Sequence, residues 1–181
     1  EIAQGNIGVG AGVLVGKWAG FQYMMKGGFG VASLREAGVE VAAAAVVHAV
    51  GDVVNADGTV LAGARDPEGG WMAERNPLRF IDETRLPLPG TNTTLVVVAT
   101  DAILTRNELA RLTHQAHNGL AIAVRPSHTR HDGDVAFALT TRRVAAPVTL
   151  VGNMAVAVVS EAIRKAVRFA ASIPGVPGLA G

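Results

Sequence analysis

Apolar positions along this chain fall into two regimes. Before residue 105 they form short runs of small and β-branched residues, and after it they recur mostly at helical spacing. Residues 5–16 alternate Gly with small apolar residues and read as a first strand. Residues 27–34 read as a second strand and residues 39–50 as a third, with Ala42 to Ala45 at its centre. Gly51-Asp52 punctuates the third run, and Asn55-Ala56-Asp57-Gly58 is a turn signal before a short apolar piece at 59–63. Residues 65–89 break the pattern with Pro, Gly, Trp and alternating charge, which predicts a long surface loop with at most a short helix. Residues 93–100 then form a β-branched run that reads as the central buried strand.

Thr105-Arg106-Asn107-Glu108 fits a capping box that opens a helix, with Thr105 as N-cap and Glu108 at its third residue. Leu109, Leu112, Ala116 and Leu120 supply the apolar stripe, and Arg125-Pro126 ends it. Residues 128–134 are a polar loop, 135–141 a further strand, and 147–171 a long helix. Leu150, Met154, Val158, Ile163 and Val167 lie on or near one face of that helix. The tail, 172–181, carries Pro and Gly and reads as loose. The order β-β-β, loop, β-α-β-α, with strands apolar on both sides, predicts an α/β sandwich of layers rather than an open doubly wound sheet.

Composition narrows the class. The 181 residues are enough for one domain, and 49% hydrophobic with 17% charged excludes disorder. A net charge of +1 without long charge runs gives no reason to expect nucleic acid or a membrane surface as partner. There is no Cys, which removes disulfides and a thiol nucleophile and fits a reducing compartment, so the expected location is cytoplasmic. The most apolar windows, 41–50 and 148–160, are too short or interrupted to span a bilayer. The start, Glu-Ile-Ala-Gln, has no signal-peptide pattern. With no initiator Met, the chain is expected to be a fragment of a longer precursor.

Candidate chemistry gathers where loops meet strands. Gly8-Val9-Gly10-Ala11-Gly12 lacks the G-x-G-x-x-G spacing of a dinucleotide site, so no cofactor is called for. Asn92-Thr93 puts a hydroxyl at the mouth of the central strand, where the strand fixes its direction; the same tripeptide, Asn-Thr-Thr, also reads as an ordinary junction. Asp132-Gly133-Asp134 is either a turn or a pair of working carboxylates, and no third or fourth metal ligand has convincing spacing. Lys17 alone reads as a surface lysine and His48 as a core histidine. His114 and His117 read as helix surface, and His131 as a solvated loop residue.

Four blocks in order carry a resemblance. They are Gly5-Asn6-Ile7-Gly8-Val9-Gly10-Ala11-Gly12, Lys26-Gly27-Gly28-Phe29-Gly30-Val31-Ala32-Ser33, Asn92 through Asp101, and Arg125 through Leu139. Together they resemble the P1 peptidase family, which holds β-aminopeptidases, the D-aminopeptidase/esterase group and nylon-oligomer hydrolases. The resemblance implies a four-layer αββα sandwich of the N-terminal-nucleophile hydrolase type. It also implies self-cleavage between Asn92 and Thr93, giving an α-part at 1–92 and a β-part at 93–181, with Thr93 as nucleophile. Lys17 matches a lysine near the nucleophile, and Asp132 and Asp134 match an acidic pair that orients it in the nylon-hydrolase branch. His48 stands where family members usually carry an Asn that stabilises the oxyanion. Family members are also longer before the nucleophile, and the additional part supplies sheet strands and a Tyr close to the site.

An N-terminal threonine brings its own base, because its α-amine has a pKa of roughly 7.7–8. The implied activity is therefore hydrolysis of amide bonds in small peptides or oligoamides through an acyl-enzyme, by a homo-oligomer of αβ units and without a metal or cofactor. The alternative is a non-catalytic or truncated relative that serves as a binding or assembly module.

Overall fold

A computed structural model describes residues 2–81 and 92–180. Its centre is a four-stranded sheet made of β3 (Gly28–Glu36), β4 (Val39–His48), β7 (Thr93–Ala102) and β9 (Val135–Val144), in that order. Two short strands precede it, β1 (Leu14–Val15) and β2 (Met25–Lys26), and they pair with each other. Between β4 and β7 come β5 (Asp52–Val54), β6 (Val60–Ala62) and the one-turn helix α1 (Met72–Arg75). β5 pairs with β6 and with β8 (Val124–Arg125) in a small second sheet. The two long helices are α2 (Arg106–Ala123) and α3 (Val148–Arg168).

β3, β4 and β7 run antiparallel to their neighbours, while β7 and β9 are parallel. A parallel pair needs a long crossover, and α2 is that crossover. It opens with the expected capping box: the Glu108 N–H donates to Thr105 Oγ1, and the Thr105 N–H donates to Glu108 at 2.7 Å. α3 lies so close to β3 that a Cβ on Gly28 or Gly30 would come within 2.1 Å of the Ala166 or Ala162 carbonyl oxygen. The small residues of 27–34 thus serve helix–sheet contact.

Alternation along the strands separates two faces. Val39, Val41, Ala43, Ala45 and Val47 of β4, with Val96, Val98 and Ala102 of β7, are buried. They pack with Leu112, Ala116 and Leu120 of α2 and with Val151, Met154 and Val158 of α3. The opposite face carries Leu95, Val97, Phe137 and Leu139, all exposed. Strands covered on both faces were expected; among the described residues the helices cover one.

Three further expectations need correction. Residues 5–16 are mainly loop and a 3-10 turn (Gly8–Gly10) ahead of β1, with Gly5 and Gly8 in the left-handed region, at φ 88° and 47°, that a strand excludes. The tail is tied down: the Ala180 N–H donates to the Ala170 carbonyl, the Pro177 carbonyl accepts from the Lys26 N–H, and Asn6 bonds Ala171 in both directions. His131 is buried rather than solvated. The loop expected at 65–89 contains only α1 among the residues described, and 82–89 lie outside them. No helix among the described residues is long and apolar enough to cross a membrane.

Candidate active site

Register brings the candidate residues together. His48, the last residue of β4, pairs with Thr93, the first of β7. On the other flank Asn92 forms a parallel bridge with Asp132, ahead of the β7–β9 ladder. The Asn92–Thr93 bond therefore lies between the end of one strand and the loop leading into another.

Lys17 reaches this point from a short 3-10 turn (Lys17–Ala19). Gly16 enters the turn at φ 71°, and a Cβ there would lie 2.2 Å from the Ala64 nitrogen, so only glycine fits. The turn is tied to the end of β4 and the start of β5. The Gly16 N–H donates to the Gly51 carbonyl, the Trp18 N–H to the Val50 carbonyl, and the Trp18 indole to Asp52 Oδ1 at 2.8 Å. Asp52 also receives the Ala64 N–H and the Arg79 guanidinium. Lys17 is consequently not a surface lysine: it is 1% exposed, and Nζ donates to the His48 carbonyl at 3.0 Å. Burial pulls its pKa down to about 7, opposed by the negative charge of Asp132 and Asp134.

The two carboxylates hold backbone. Asp134 Oδ1 accepts from the Thr94 N–H at 2.8 Å, and Oδ2 accepts from the His128 N–H at 3.0 Å. Asp132 Oδ1 accepts from the Val50 N–H at 3.1 Å, and Oδ2 accepts from the Thr129 hydroxyl at 2.6 Å. Burial raises the Asp132 pKa, partly offset by the Thr129 and Val50 hydrogen bonds. In the uncleaved chain Thr93 Oγ1 donates to the Asn92 carbonyl oxygen at 2.6 Å. The same carbonyl accepts from the Gly133 N–H at 2.7 Å. The Asn92 side chain is fully buried and donates through Nδ2 to the His131 carbonyl at 3.1 Å.

His48 Nδ1 accepts from the Leu14 N–H at 2.9 Å, which puts the proton of the neutral ring on Nε2. His114 is exposed and His117 half-buried on α2, in line with the helix-surface reading. His117 Nδ1 also lies 3.3 Å from His128 Nε2, a contact that the sequence does not reveal. Among the described residues no group of three or more metal-ligating side chains converges. Sequence reasoning also missed Gly133, Trp18 and Asp52. A glycine fixed between two candidate acids was the available signal for the first, and nothing local marked the other two.

The family model of peptidase family S58 matches residues 1–180. The chain belongs to peptidase family S58. Among similar proteins, one named an uncharacterised aminopeptidase from Mycobacterium leprae is 36% identical over 99% of this chain and 53% of its own length. A 6-aminohexanoate-oligomer endohydrolase from Paenarthrobacter ureafaciens is 30% identical over 82% of this chain and 42% of its own. The chain thus spans about half the length of the relatives it matches. A Burkholderia β-aminopeptidase structure superposes with a TM-score of 0.64 at 24% identity, covering 98% of this chain and 51% of that one. The L-aminopeptidase D-Ala-esterase/amidase of Ochrobactrum anthropi, described as a variant of the Ntn hydrolase fold, gives 0.63 at 21%, covering 97% and 48%. The family resemblance and the N-terminal-nucleophile hydrolase fold read from the sequence are borne out.

Proposed function

We propose that this S58 chain is the self-processing core of an amide-bond hydrolase whose nucleophile is Thr93, freed by cleavage after Asn92. The observation that carries the reading is the Thr93 hydroxyl 2.6 Å from the carbonyl oxygen of the residue before it. Family membership and relatives named for aminopeptidase and oligoamide hydrolase activity support it.

In the first reaction Thr93 Oγ1 attacks the Asn92 carbonyl carbon. The Asn92–Thr93 C–N bond breaks, an ester forms between the Asn92 acyl carbon and Oγ1, and the hydroxyl proton ends on the departing Thr93 nitrogen. Water then hydrolyses the ester, leaving a carboxylate on Asn92 and restoring the hydroxyl. No free α-amine exists before this step, so another base is required. Lys17, at about 7, has a large uncharged share near neutral pH and sits on the carbonyl of the residue opposite Thr93. It is the group best suited to take the hydroxyl proton and relay it to the leaving nitrogen.

In turnover the freed α-amine takes over as base. The hydroxyl attacks a substrate amide, the amine product leaves with the proton, and water releases the acid. Asp134 fixes the start of β7 through the Thr94 N–H, and Asp132 ties the incoming loop to Val50, so both acids act by holding the threonine in place. His48 Nε2–H is the proposed side-chain donor to the substrate oxyanion. Substrates are small peptides or oligoamides, and the working form is a homo-oligomer of αβ units, which light scattering on the processed protein tests. Release of amine from an amide panel, by the parent but not by Thr93→Ala, tests the activity.

A further inference from the structure

The geometry points to the Gly133 backbone N–H as the oxyanion donor for self-cleavage, separate from His48, which serves turnover. This inference rests on Thr93 as the nucleophile and assigns a further group to the same site.

Three observations converge on residue 133. Its N–H donates to the Asn92 carbonyl oxygen at 2.7 Å, within the range in which a fixed donor stabilises developing negative charge. When Thr93 Oγ1 adds to the Asn92 carbonyl carbon, the C=O electron pair moves onto that oxygen, where the donor already stands. Second, a Cβ on residue 133 would lie 2.9 Å from Thr93 Oγ1 and 3.6 Å from the Asn92 carbonyl oxygen. Any side chain there would press on the nucleophile itself. Third, the loop is held on both sides of the glycine. Asp132 is bound by the Val50 N–H and Thr129, and Asp134 binds the Thr94 and His128 N–H groups. The donor is thus fixed before reaction, and little reorganisation is left to the moment of attack.

The scissile residue is clamped by the same loop. Asn92 Nδ2 donates to the His131 carbonyl, two residues before Gly133, so side chain and carbonyl are gripped together. His48 occupies the other flank of β7, across the β4 pairing, whereas Gly133 approaches from the β9 side. The two donors therefore flank the nucleophile from opposite sides. Cleavage frees the Asn92 carboxylate from the chain, and the substrate carbonyl that replaces it is expected to meet His48 Nε2–H.

The direct test replaces residue 133 by glycolic acid, which exchanges the N–H for an ester oxygen and adds no side chain. Self-cleavage of the purified chain is followed by intact mass beside the parent, Gly133→Ala, His48→Ala and Thr93→Ala, with circular dichroism melting on each. Loss of one oxyanion donor predicts a slowing of about 100- to 1,000-fold for the ester variant. Gly133→Ala keeps the N–H but crowds the hydroxyl, and it too cleaves slowly. His48→Ala is followed by amine release after processing and loses turnover. Ester or alanine variants that cleave at the parent rate while Thr93→Ala stays intact would overturn the assignment and leave the nucleophile standing. Cleavage in Thr93→Ala as well would remove both.

Discussion

The two faces of the central sheet are built from the same strands and do opposite work. On the helix side, Val41, Val47, Val96 and Val98 are fully buried and closed over by α2 and α3. On the open side, the intervening positions place His48 and Thr93 opposite each other at one end, with Leu95 and Val97 following along β7. A one-residue offset thus decides whether a side chain stabilises the fold or is available to a reactant. The helix-side face fixes where β4 ends and β7 begins, and the reactive junction inherits its geometry from that register.

The largest effect expected on the open side is at Thr93. Thr93→Ala abolishes processing and lowers amide hydrolysis by at least ~10,000-fold, read by intact mass and amine release, because the attacking hydroxyl itself is removed. Lys17→Ala follows, with self-cleavage slowed by about 100-fold, the scale expected for loss of a general base. In the parent that rate rises with pH through about 7 as Lys17 loses its proton, and the rise disappears in Lys17→Ala. Stability moves in the same direction. Between about 7 and the ordinary value of 10.5, the unfolded chain binds a proton on Lys17 that the folded site has released. Parent stability therefore climbs with pH across that window, and Lys17→Met flattens the climb in denaturant titrations.

The helix side was the more legible of the two from sequence. The β-branched run beginning at Thr93, the alanines at 42–45 and the Thr105–Glu108 capping box each follow from local chemistry, and each forms. Long-range ties were not legible. Glycines at 5, 8 and 10 look like strand spacing, but two of them adopt left-handed backbone that a one-dimensional pattern does not display. The tail looks loose because its anchors, Asn6 and Lys26, lie more than 140 residues away. His131 looks solvated because only the folded loop puts its carbonyl over Asn92. Lys17, His48, Asp132 and Asp134 were selected by resemblance. Their contacts with the His48 carbonyl, the Leu14 N–H, Val50 and Thr94 come only from the folded chain.

Smaller effects sharpen the contrast between the faces. Val98→Ala, on the helix side, costs about 2 kcal/mol through lost burial and a cavity, whereas Val97→Ala, its exposed neighbour, costs less than ~0.5 kcal/mol in urea denaturation of this chain. Equal costs would mean that the open face is covered in solution. Smallest of all, His128→Ala changes turnover by less than about threefold, because Asp134 loses the His128 imidazole 3.4 Å away but keeps the shorter bond from the His128 backbone N–H and the one from Thr94.

The most direct test of the central claim is intact mass of the purified protein after incubation, beside Thr93→Ala. The account predicts two fragments in the parent, one ending at Asn92 and one beginning at Thr93, and a single species in the variant. A parent that stays whole, or is cut at any other bond, would contradict it.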